Sequence, residues 1–222
     1  TPLKELNEYQ DQAINEIREG FESKNTTLLH GVTSSGKTEI YIHLIQEQIK
    51  LGKQVLYLLP EIALTTQIIS RLKRVFGNRV GVYHSKFNDA ERVEVYNNIQ
   101  QNNPDKSYQV ILGVRSSIFL PFKNLGLIII DEEHENTYKQ FDPAPRYHAR
   151  DAALFLANMH KAKTLLGTAT PAVETYANCK QGKYALVELT HRFQDMKMPE
   201  IQLADLKEAK RKKRMKSIFT PE

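Results

Sequence analysis

The sequence contains a single cysteine and no long apolar run. Cys179 has no second thiol to pair with, which excludes a disulfide framework or a cysteine-rich zinc site within these 222 residues. No apolar run approaches the roughly 18 to 20 residues that span a bilayer, and the polar opening TPLKELNEYQDQ lacks a signal-peptide core. We therefore expect a soluble, cytoplasmic protein with no membrane partner.

Excess charge is also scarce, apart from one short segment. The net charge is +5, but residues 207–216, KEAKRKKRMK, alone contribute +6, so the remainder of the chain sums to −1. A basic run of this kind is a solvated helix face or a linker more often than a binding patch, and it is only weak evidence for DNA binding. The alternation of strands and helices stops near residue 191. We therefore expect one domain over residues 1–193 and a basic connector over residues 194–222.

Seven short β-rich apolar runs alternate with helical patterns along the chain. This alternation predicts an α/β fold in which helices cover both faces of a mostly parallel sheet. Two helix starts are also predicted: Asn88 with Glu91 has the pattern of a capping box, and Thr170 before Pro171 has the pattern of an N-cap with proline at the first helical position. The predicted strands are TTLLHG, VLYLLP, VGVYHS, VILGV, LIIID, TLLGTAT and YALVEL.

The strongest motif is GVTSSGKT, which matches the P-loop pattern G-x-x-x-x-G-K-[ST]. It follows the apolar run TLLH and precedes a helical pattern, as a P-loop requires. The glycines let backbone N–H groups face phosphate oxygens, and the N-terminus of the next helix favours an anion. Lys37 would reach the terminal phosphates and Thr38 would ligate Mg²⁺; the alternative is an ordinary turn between a strand and a helix. The residues predicted to bind ATP here are Gly31, Val32, Thr33, Ser34, Ser35, Gly36, Lys37 and Thr38.

A second motif, LGLIIIDEEH, places acidic side chains after four apolar residues. The pattern predicts a buried strand that ends in carboxylates at the carboxyl edge of the sheet, where ligands bind in open α/β folds. Asp131 would hold Mg²⁺ and Glu132 would polarise the attacking water. An acidic strand end by itself is usually a solvated turn, but its combination with the P-loop favours the catalytic interpretation.

Further motifs make the sequence similar to a known group of enzymes. LNEYQ about twenty residues before the P-loop, DEEH as a Walker B variant and GTATP after a further strand together resemble the first motor lobe of a superfamily 2 helicase. Over roughly residues 6–193, the closest resemblance is to the primosomal protein N′ family of bacterial replication-restart DNA helicases. One position departs from that family, because Ser34 stands where glycine is common, and this puts the backbone conformation there in question. The stretches that carry the resemblance are GVTSSGKTEIYIHLI, LLPEIALTTQ, HSKFNDAER, GVRSSIF, DEEHENTYKQ, PRYHARDAA and LLGTATPAVET.

The resemblance implies a RecA-like lobe of an ATP-dependent 3′-to-5′ DNA helicase that reloads the replication machinery at stalled forks. Lys37, Asp131 and Glu132 would be catalytic, and Gln10 would read the adenine edge, since a carboxamide both donates and accepts. The cofactors implied are ATP and Mg²⁺. A surface glutamine without a role is the alternative for Gln10.

The resemblance also implies contacts with DNA. Thr65, Arg115 and Ser116 would touch the DNA backbone, while Thr168 and Thr170, in the segment from Gly167 to Thr170, would link the nucleotide site to DNA. For these short polar side chains, helix caps and turns are an equally serious alternative.

The segment from Glu135 to Asp151 corresponds to the aromatic-rich loop of such helicases. It directly follows the strand that carries the catalytic carboxylates, so it is predicted to couple DNA binding to hydrolysis. His134 would relay the position of the loop to Glu132. The alternative is that the aromatic side chains simply pack the loop. The faces predicted to stack on unpaired bases are Tyr138, Phe141 and Tyr147, and the cations predicted to meet phosphates are Lys139, Arg146 and Arg150.

The resemblance covers one motor lobe only. A second lobe with arginine fingers, a cysteine-rich zinc element within it and a separate DNA-binding domain are expected in the parent chain, so this lobe alone should hydrolyse ATP hardly at all. The implied partners are single-stranded and forked DNA, these other parts of the parent chain, primosome proteins and single-strand-binding proteins, in a bacterial, nucleoid-associated setting. The alternatives are another superfamily 2 translocase, such as a restriction-type motor or an RNA helicase, or a nucleotide-binding docking module without catalysis.

Overall fold

Seven strands form one parallel sheet in the computed structural model, which describes residues 3–84, 86–101, 107–191 and 206–212. The strand order is β3-β4-β2-β5-β6-β1-β7, and every neighbouring pair is parallel. Each predicted apolar run corresponds to one strand, which confirms the predicted alternation. The strands are β1 (Thr26–Gly31), β2 (Gln54–Leu58), β3 (Val80–Tyr83), β4 (Val110–Gly113), β5 (Leu125–Asp131), β6 (Lys163–Thr168) and β7 (Ala185–Leu189).

Helices connect the strands and cover both faces of the sheet. The helices are α1 (Glu8–Ser23), α2 (Lys37–Lys50), α3 (Thr66–Phe76), α4 (Asp89–Gln100), α5 (Ala149–His160), α6 (Val173–Lys180) and α7 (Leu206–Arg211), with short 3₁₀ turns at Glu61–Ala63, Gly77–Arg79, Arg115–Phe119 and Asn136–Tyr138. None of the helices in the described part of the chain is long and apolar enough to cross a membrane.

The central strand β5 shows why its sequence is apolar throughout. Successive side chains of a strand point to opposite faces of the sheet. Leu127 and Ile129 pack into a hydrophobic core with residues of α1, α2 and α3, whereas Ile128 and Ile130 pack into a second core with residues of α4 and α5. A strand buried on both faces needs apolar residues at every position. The predicted α/β fold with two covered faces is confirmed.

One of the two predicted helix starts is confirmed and the other is wrong. Asn88 and Glu91 form the predicted capping box of α4, each side chain accepting from the other residue's backbone N–H. Helix α6, however, begins at Val173, and its N-cap is Ala172 and not Thr170. The Ala172 N–H donates to the Glu133 carboxylate at 2.7 Å, so a distant side chain performs the capping that was assigned to a local hydroxyl.

The predicted connector is described only in part. Helix α7 lies within it, while residues 192–205 and 213–222 lie outside the described residues. The boundary at residue 193 and the role of the basic run 207–216 therefore stay predictions.

Candidate functional site

The chemistry-bearing motifs meet at one edge of the sheet. In a parallel sheet the carboxyl ends of all strands lie at the same edge. The P-loop follows β1, the DEEH segment follows β5, and the GTAT segment ends β6, which lies between β1 and β5 in the sheet. The parallel order therefore brings three motifs that are distant in sequence side by side.

The P-loop folds as a cradle with Lys37 across it. Lys37 Nζ donates to the carbonyl of Gly31 at 2.9 Å, and Val32 is held by its N–H to Leu189 O at 3.1 Å. The Ser35 hydroxyl is buried and has no hydrogen-bond partner in the part of the chain that the structure describes. A Cβ at Gly31 would lie 2.9 Å from that hydroxyl and 3.1 Å from the Lys37 side chain, so a larger residue at position 31 would crowd both groups. Thr33 is exposed at the tip, and Thr38 is half-buried in the first turn of α2.

Two P-loop residues adopt left-handed backbone conformations. Gly36 has φ 83°, which glycine tolerates, but Ser34 has φ 64°, which costs an ordinary residue roughly 1 kcal/mol. The doubt that the sequence raised about Ser34 therefore has a physical basis, since this position favours the glycine that the similar family carries.

Gln10 is buried and contacts the backbone of the P-loop. Its side chain is part of the capping box of α1 with Asn7, and its Nε2 donates to the carbonyl of Gly36 at 3.2 Å. Only 1% of the residue is exposed. Both polar ends of the carboxamide therefore have partners inside the protein in this structure, and recognition of an adenine by Gln10 stays a prediction.

Asp131 ends β5 beneath the P-loop, and its carboxylate accepts three hydrogen bonds. Tyr41 Oη donates to Oδ1 at 3.1 Å, Tyr57 Oη donates to Oδ2 at 3.3 Å, and the Glu132 N–H donates to Oδ1 at 3.2 Å. Burial, followed by the charge of Glu132, raises the pKa of Asp131 from 3.8 to about 6, although Lys37 acts to lower it.

Glu132 joins a polar network that spans DEEH and GTAT. It adopts φ 48°, an uncommon conformation that is concentrated at functional sites. The hydroxyl of Thr168, a completely buried residue, lies 3.5 Å from Glu132 Oε2 and 2.7 Å from His134 Nδ1. Thr170 Oγ1 lies 3.4 Å from the other nitrogen of His134. The structure thus brings Thr168 and Thr170, predicted to link the nucleotide site to DNA, together with His134, predicted to relay the position of the loop to Glu132. Thr168 is too buried to contact DNA itself.

The residues at this edge fit Mg·ATP. The α2 N-terminus receives no side-chain cap, and the Ser35 hydroxyl is buried and unpaired within the described residues, so donors remain for phosphate oxygens. Hydroxyl and carboxylate oxygens such as those of Thr38 and Asp131 are the ligands that Mg²⁺ prefers. No group of three or more histidine, cysteine or acidic side chains in the described segments could hold a metal. The cation would therefore take its other ligands from phosphate and water, which is the usual arrangement for Mg²⁺.

The aromatic-rich loop leaves β5 and is fastened to the sheet by Arg115. Arg115 Nη1 donates to the carbonyl of Lys139 at 2.9 Å and lies 3.5 Å from that of Thr137. An antiparallel bridge between Lys139 and His148 closes the base of the loop. Arg115 was predicted to contact DNA, but in this structure its guanidinium holds the loop through backbone carbonyls.

Two side chains of this segment are not where the sequence predicted. Tyr138 is only 1% exposed, and its hydroxyl donates to the main-chain carbonyl of Asp131 at 2.6 Å, so it offers no face to an unpaired base. Arg150 is paired at 2.9 Å with Glu133, a completely buried carboxylate, and is not available to a phosphate. Both predictions are wrong for the same reason, since each polar end satisfies a partner inside the protein.

Other side chains of the loop remain accessible. Phe141 is 67% exposed and Arg146 is also exposed, as stacking and phosphate contact require. Tyr147 is half-buried and packs edge to face against Phe119, with ring centroids 5.1 Å apart. Lys139 Nζ donates to the carbonyl of Arg146 at 3.3 Å. A cavity of about 360 Å³ opens beside the loop; Pro60, Arg115, Tyr138, Lys139 and Phe141 are among the residues that line it.

The remaining predicted DNA contacts lie after β2 and β4, on the side of β5 away from the P-loop. Thr65 is exposed and is the N-cap of α3, where its hydroxyl accepts from the Ile68 N–H at 3.4 Å. Ser116 is half-buried in the 3₁₀ turn that follows β4. The cap that the sequence offered as the alternative for Thr65 is therefore present, and contact with DNA stays a prediction for both residues.

Three buried polar residues were missed by the sequence interpretation. Tyr41 and Tyr57 read as core residues of a helix and a strand, although a buried tyrosine hydroxyl requires a partner. Glu133 accepts hydrogen bonds from Arg150, from the Thr175 hydroxyl at 2.8 Å and from the Ala172 N–H. It thereby ties the ends of β5, α5 and α6 together. Nothing in the local sequence distinguishes Glu133 from a solvated acid.

Comparison with known proteins identifies relatives of this lobe. Residues 7–179 match the family described as DEAD/DEAH box helicase. The chain is 44% identical over 205 residues to the "Replication restart protein PriA" of Bacillus subtilis (strain 168). The aligned region covers 91% of this chain and 25% of that protein. It is 40% identical over 219 residues to the protein of the same name from Chlamydia pneumoniae, which covers 98% of this chain and 29% of that protein. These relatives confirm the resemblance to replication-restart helicases.

A solved structure confirms the architecture. The structure described as RecG bound to a three-way DNA junction aligns with a TM-score of 0.62 at 22% identity, over 89% of this chain and 25% of that one. At this identity the likeness bears on the fold alone, which is that of a RecA-like helicase lobe. The chain spans between a quarter and a third of the length of the relatives that it matches.

Proposed function

We propose, from the premise that this chain belongs to the DEAD/DEAH box helicase family, that it is the ATP-binding motor lobe of a 3′-to-5′ DNA helicase that restarts replication at stalled forks. The observation that carries the proposal is the meeting of Lys37, Asp131 and Glu132 at the carboxyl edge of β1 and β5. The 44% identity to a replication restart protein supports the choice of DNA restart over the other motors of the superfamily.

Each nucleotide-site residue has a role that its position supports. Lys37 and the N–H groups of residues 31–38 bind the phosphates, with the positive end of the α2 dipole behind them. Thr38 and Asp131 hold Mg²⁺, which neutralises charge on the phosphates when it is bound. Glu132 orients and polarises the attacking water. Gln10 supports the P-loop through Gly36.

The DNA strand runs over the other side of β5, past the loop and the ends of β2 and β4. Phe141 stacks on an unpaired base, while Arg146 and Lys139 meet phosphates. Thr65 and Ser116 contact the backbone of the same strand. Support comes from the exposure of Phe141 and Arg146 and from the loop cavity beside them.

Coupling between the two sites runs through Tyr138 and His134. Tyr138 belongs to the loop and bonds to the main chain of Asp131, and His134 reaches Thr168 and Thr170 beside Glu132. Ordering of the loop on DNA would therefore shift the catalytic carboxylates through direct contacts, and no long pathway is needed.

The parent enzyme supplies what this lobe lacks. We propose a second helicase lobe with arginine fingers, a zinc element in that lobe, a further DNA-binding domain, and primosome and single-strand-binding proteins as partners in the bacterial cytoplasm, at the nucleoid. In GTPases an arginine finger accelerates hydrolysis by roughly 10³ to 10⁵, so this lobe alone should turn over ATP very slowly.

The nucleotide site is tested by calorimetry on the purified chain with a non-hydrolysable ATP analogue and Mg²⁺. Lys37→Ala should lower the affinity by about 10- to 100-fold, the value of a hydrogen bond to a charged group. Lys50→Ala, which removes an exposed lysine from the opposite end of α2, should leave the affinity unchanged. Equal affinity of wild type and Lys37→Ala would refute the phosphate site.

The choice among motors is tested in the full-length protein. A restart helicase should show ATPase activity that DNA stimulates, with preference for a branched fork over plain single strands. Stimulation without fork preference would favour another translocase. No stimulation by any nucleic acid would favour a docking module.

A further inference from the structure

Three tyrosine hydroxyls converge on Asp131 at the end of β5. Tyr41 Oη, from α2, donates to Oδ1 at 3.1 Å, and Tyr57 Oη, from β2, donates to Oδ2 at 3.3 Å. Tyr138 Oη donates to the main-chain carbonyl at 2.6 Å. The carboxylate itself is thus held by two side chains that lie outside the DEEH segment.

Tyr41 and Tyr57 are neutral donors in a dry environment. Both are completely buried, and their rings pack edge to face with centroids 5.5 Å apart. A tyrosine hydroxyl ordinarily titrates near pH 10, so both phenols are neutral hydrogen-bond donors near pH 7. A neutral phenol orients a carboxylate without cancelling its negative charge, whereas a lysine or arginine in the same place would compete with a bound cation.

Gly167 on β6 leaves room for the Tyr41 hydroxyl. Gly167 pairs with Asp131 in the parallel register, and a Cβ at position 167 would overlap Tyr41 Oη. Gly167 has an ordinary backbone φ, so its role is to leave space and not to permit a turn. Residues of α2, β5 and β6 therefore together place the Tyr41 hydroxyl against the Asp131 carboxylate.

The count of donors leaves one acceptor position on the carboxylate. Each oxygen of a carboxylate accepts about two hydrogen bonds. Tyr41 and the Glu132 N–H together fill Oδ1, and Tyr57 takes one position on Oδ2. Among the described residues, the acceptor position that remains is on Oδ2.

We propose that Tyr41 and Tyr57 are positioning residues that orient Asp131 so that Oδ2 faces Mg²⁺ or a water bound to it. The inference rests on the proposed nucleotide site. Outer partners of metal ligands typically change metal affinity by 10- to 100-fold when they are removed, because the ligand loses its fixed orientation.

The test is a Mg²⁺ titration of the purified chain with a fluorescent, non-hydrolysable ATP analogue. Tyr41→Phe and Tyr57→Phe together should raise the Mg²⁺ concentration at half-maximal binding by about tenfold, while affinity for the analogue in EDTA changes less than about twofold. Tyr108→Phe, which removes a phenol hydroxyl from a half-buried ring beside Gly81 on β3, is the matched control and should behave as wild type. A merely structural role would lower the thermal midpoint without separating the two affinities.

Gly167→Ala gives a second route if the double variant does not fold. It should raise the Mg²⁺ concentration at half-maximal binding in the wild-type background by displacing the Tyr41 hydroxyl. It should raise this concentration less in the Tyr41→Phe background, where the hydroxyl is absent and only the close contact with the ring carbon remains. Unchanged Mg²⁺ dependence in all of these variants would overturn the inference and leave the nucleotide site standing. A wild-type chain that binds the analogue equally with Mg²⁺ and EDTA would instead overturn the assignment of Asp131 as a metal ligand.

Discussion

The first prediction concerns how the negative charge of the Asp131 carboxylate affects the stability of the folded protein. Each pKa unit is worth roughly 1.36 kcal/mol, so raising the pKa of Asp131 from 3.8 to about 6 makes its ionised form cost the folded protein about 3 kcal/mol. Asp131 is half-buried, so this value is an upper bound. Asp131→Asn removes the charge but keeps an oxygen for the tyrosine hydroxyls, and it should stabilise the metal-free chain by about 2 to 3 kcal/mol at pH 8.

The sign of the pH dependence follows from the direction of the shift. Because the folded state holds the Asp131 proton more tightly than the unfolded state, the wild type loses stability as pH rises from about 4 to 6 and then stays at the lower level. The free energy of unfolding of Asp131→Asn should therefore exceed that of the wild type by about 3 kcal/mol or less at pH 8, and by about 1 kcal/mol or less at pH 4.5.

Urea unfolding in EDTA at several pH values measures this difference. Asp142→Asn, at an exposed carboxylate of the aromatic-rich loop, is the control and should change the free energy of unfolding by less than about 0.5 kcal/mol. If Asp131→Asn is no more stable than wild type at pH 8, or if its advantage does not depend on pH, burial does not hold this carboxylate at an elevated pKa and the reasoning fails.

Two further predictions concern the P-loop and the loop beyond β5. Ser34→Gly should be about 1 kcal/mol more stable than Ser34→Ala in urea, because only glycine relaxes the φ of 64°; equal stabilities would mean that this conformation is not strained. In the full-length protein, Phe141→Ala should reduce the stimulation of ATPase by single-stranded DNA, because a base stack worth roughly 1 to 3 kcal/mol is lost. Phe155→Ala removes a ring of nearly the same exposure, 68% against 67%, from α5 and should leave stimulation intact; equal effects would show that the loop has no special role.

The strands and the P-loop could be predicted because their signals are local. A strand buried on both faces is apolar at every position, and the P-loop carries its glycines and Lys37 within eight residues. A parallel sheet places the ends of β1 and β5 at one edge, but the strand order, in which only β6 separates them, is what brings Lys37 near Asp131.

The errors all concern polar groups whose partners are distant in sequence. Tyr138 and Arg150 were assigned to DNA by residue type, but a carbonyl seven residues away and a carboxylate seventeen residues away bind their polar ends. The start of α6 was misplaced because Glu133, thirty-nine residues before Ala172, supplies the cap. Periodicity reports which face of an element is buried, but it does not report what a buried polar atom will meet.

The position of Tyr138 changes the coupling hypothesis in a definite way. A Tyr138 ring stacked on a base would bind DNA directly and move with it. In the structure Tyr138 is buried against the main chain of Asp131, and Phe141 is the exposed aromatic side chain of the loop. The carboxylate and the main chain of Asp131 are then held by hydroxyls from α2, from β2 and from the loop, so only one of the three hydroxyl donors belongs to the segment that we propose contacts DNA. Movement of the loop would alter the main-chain support of Asp131 while Tyr41 and Tyr57 keep its carboxylate oriented. Under the proposed coupling, DNA would adjust the position of the strand end that carries Asp131, and the proposed site for Mg²⁺ would stay formed whether or not DNA is bound.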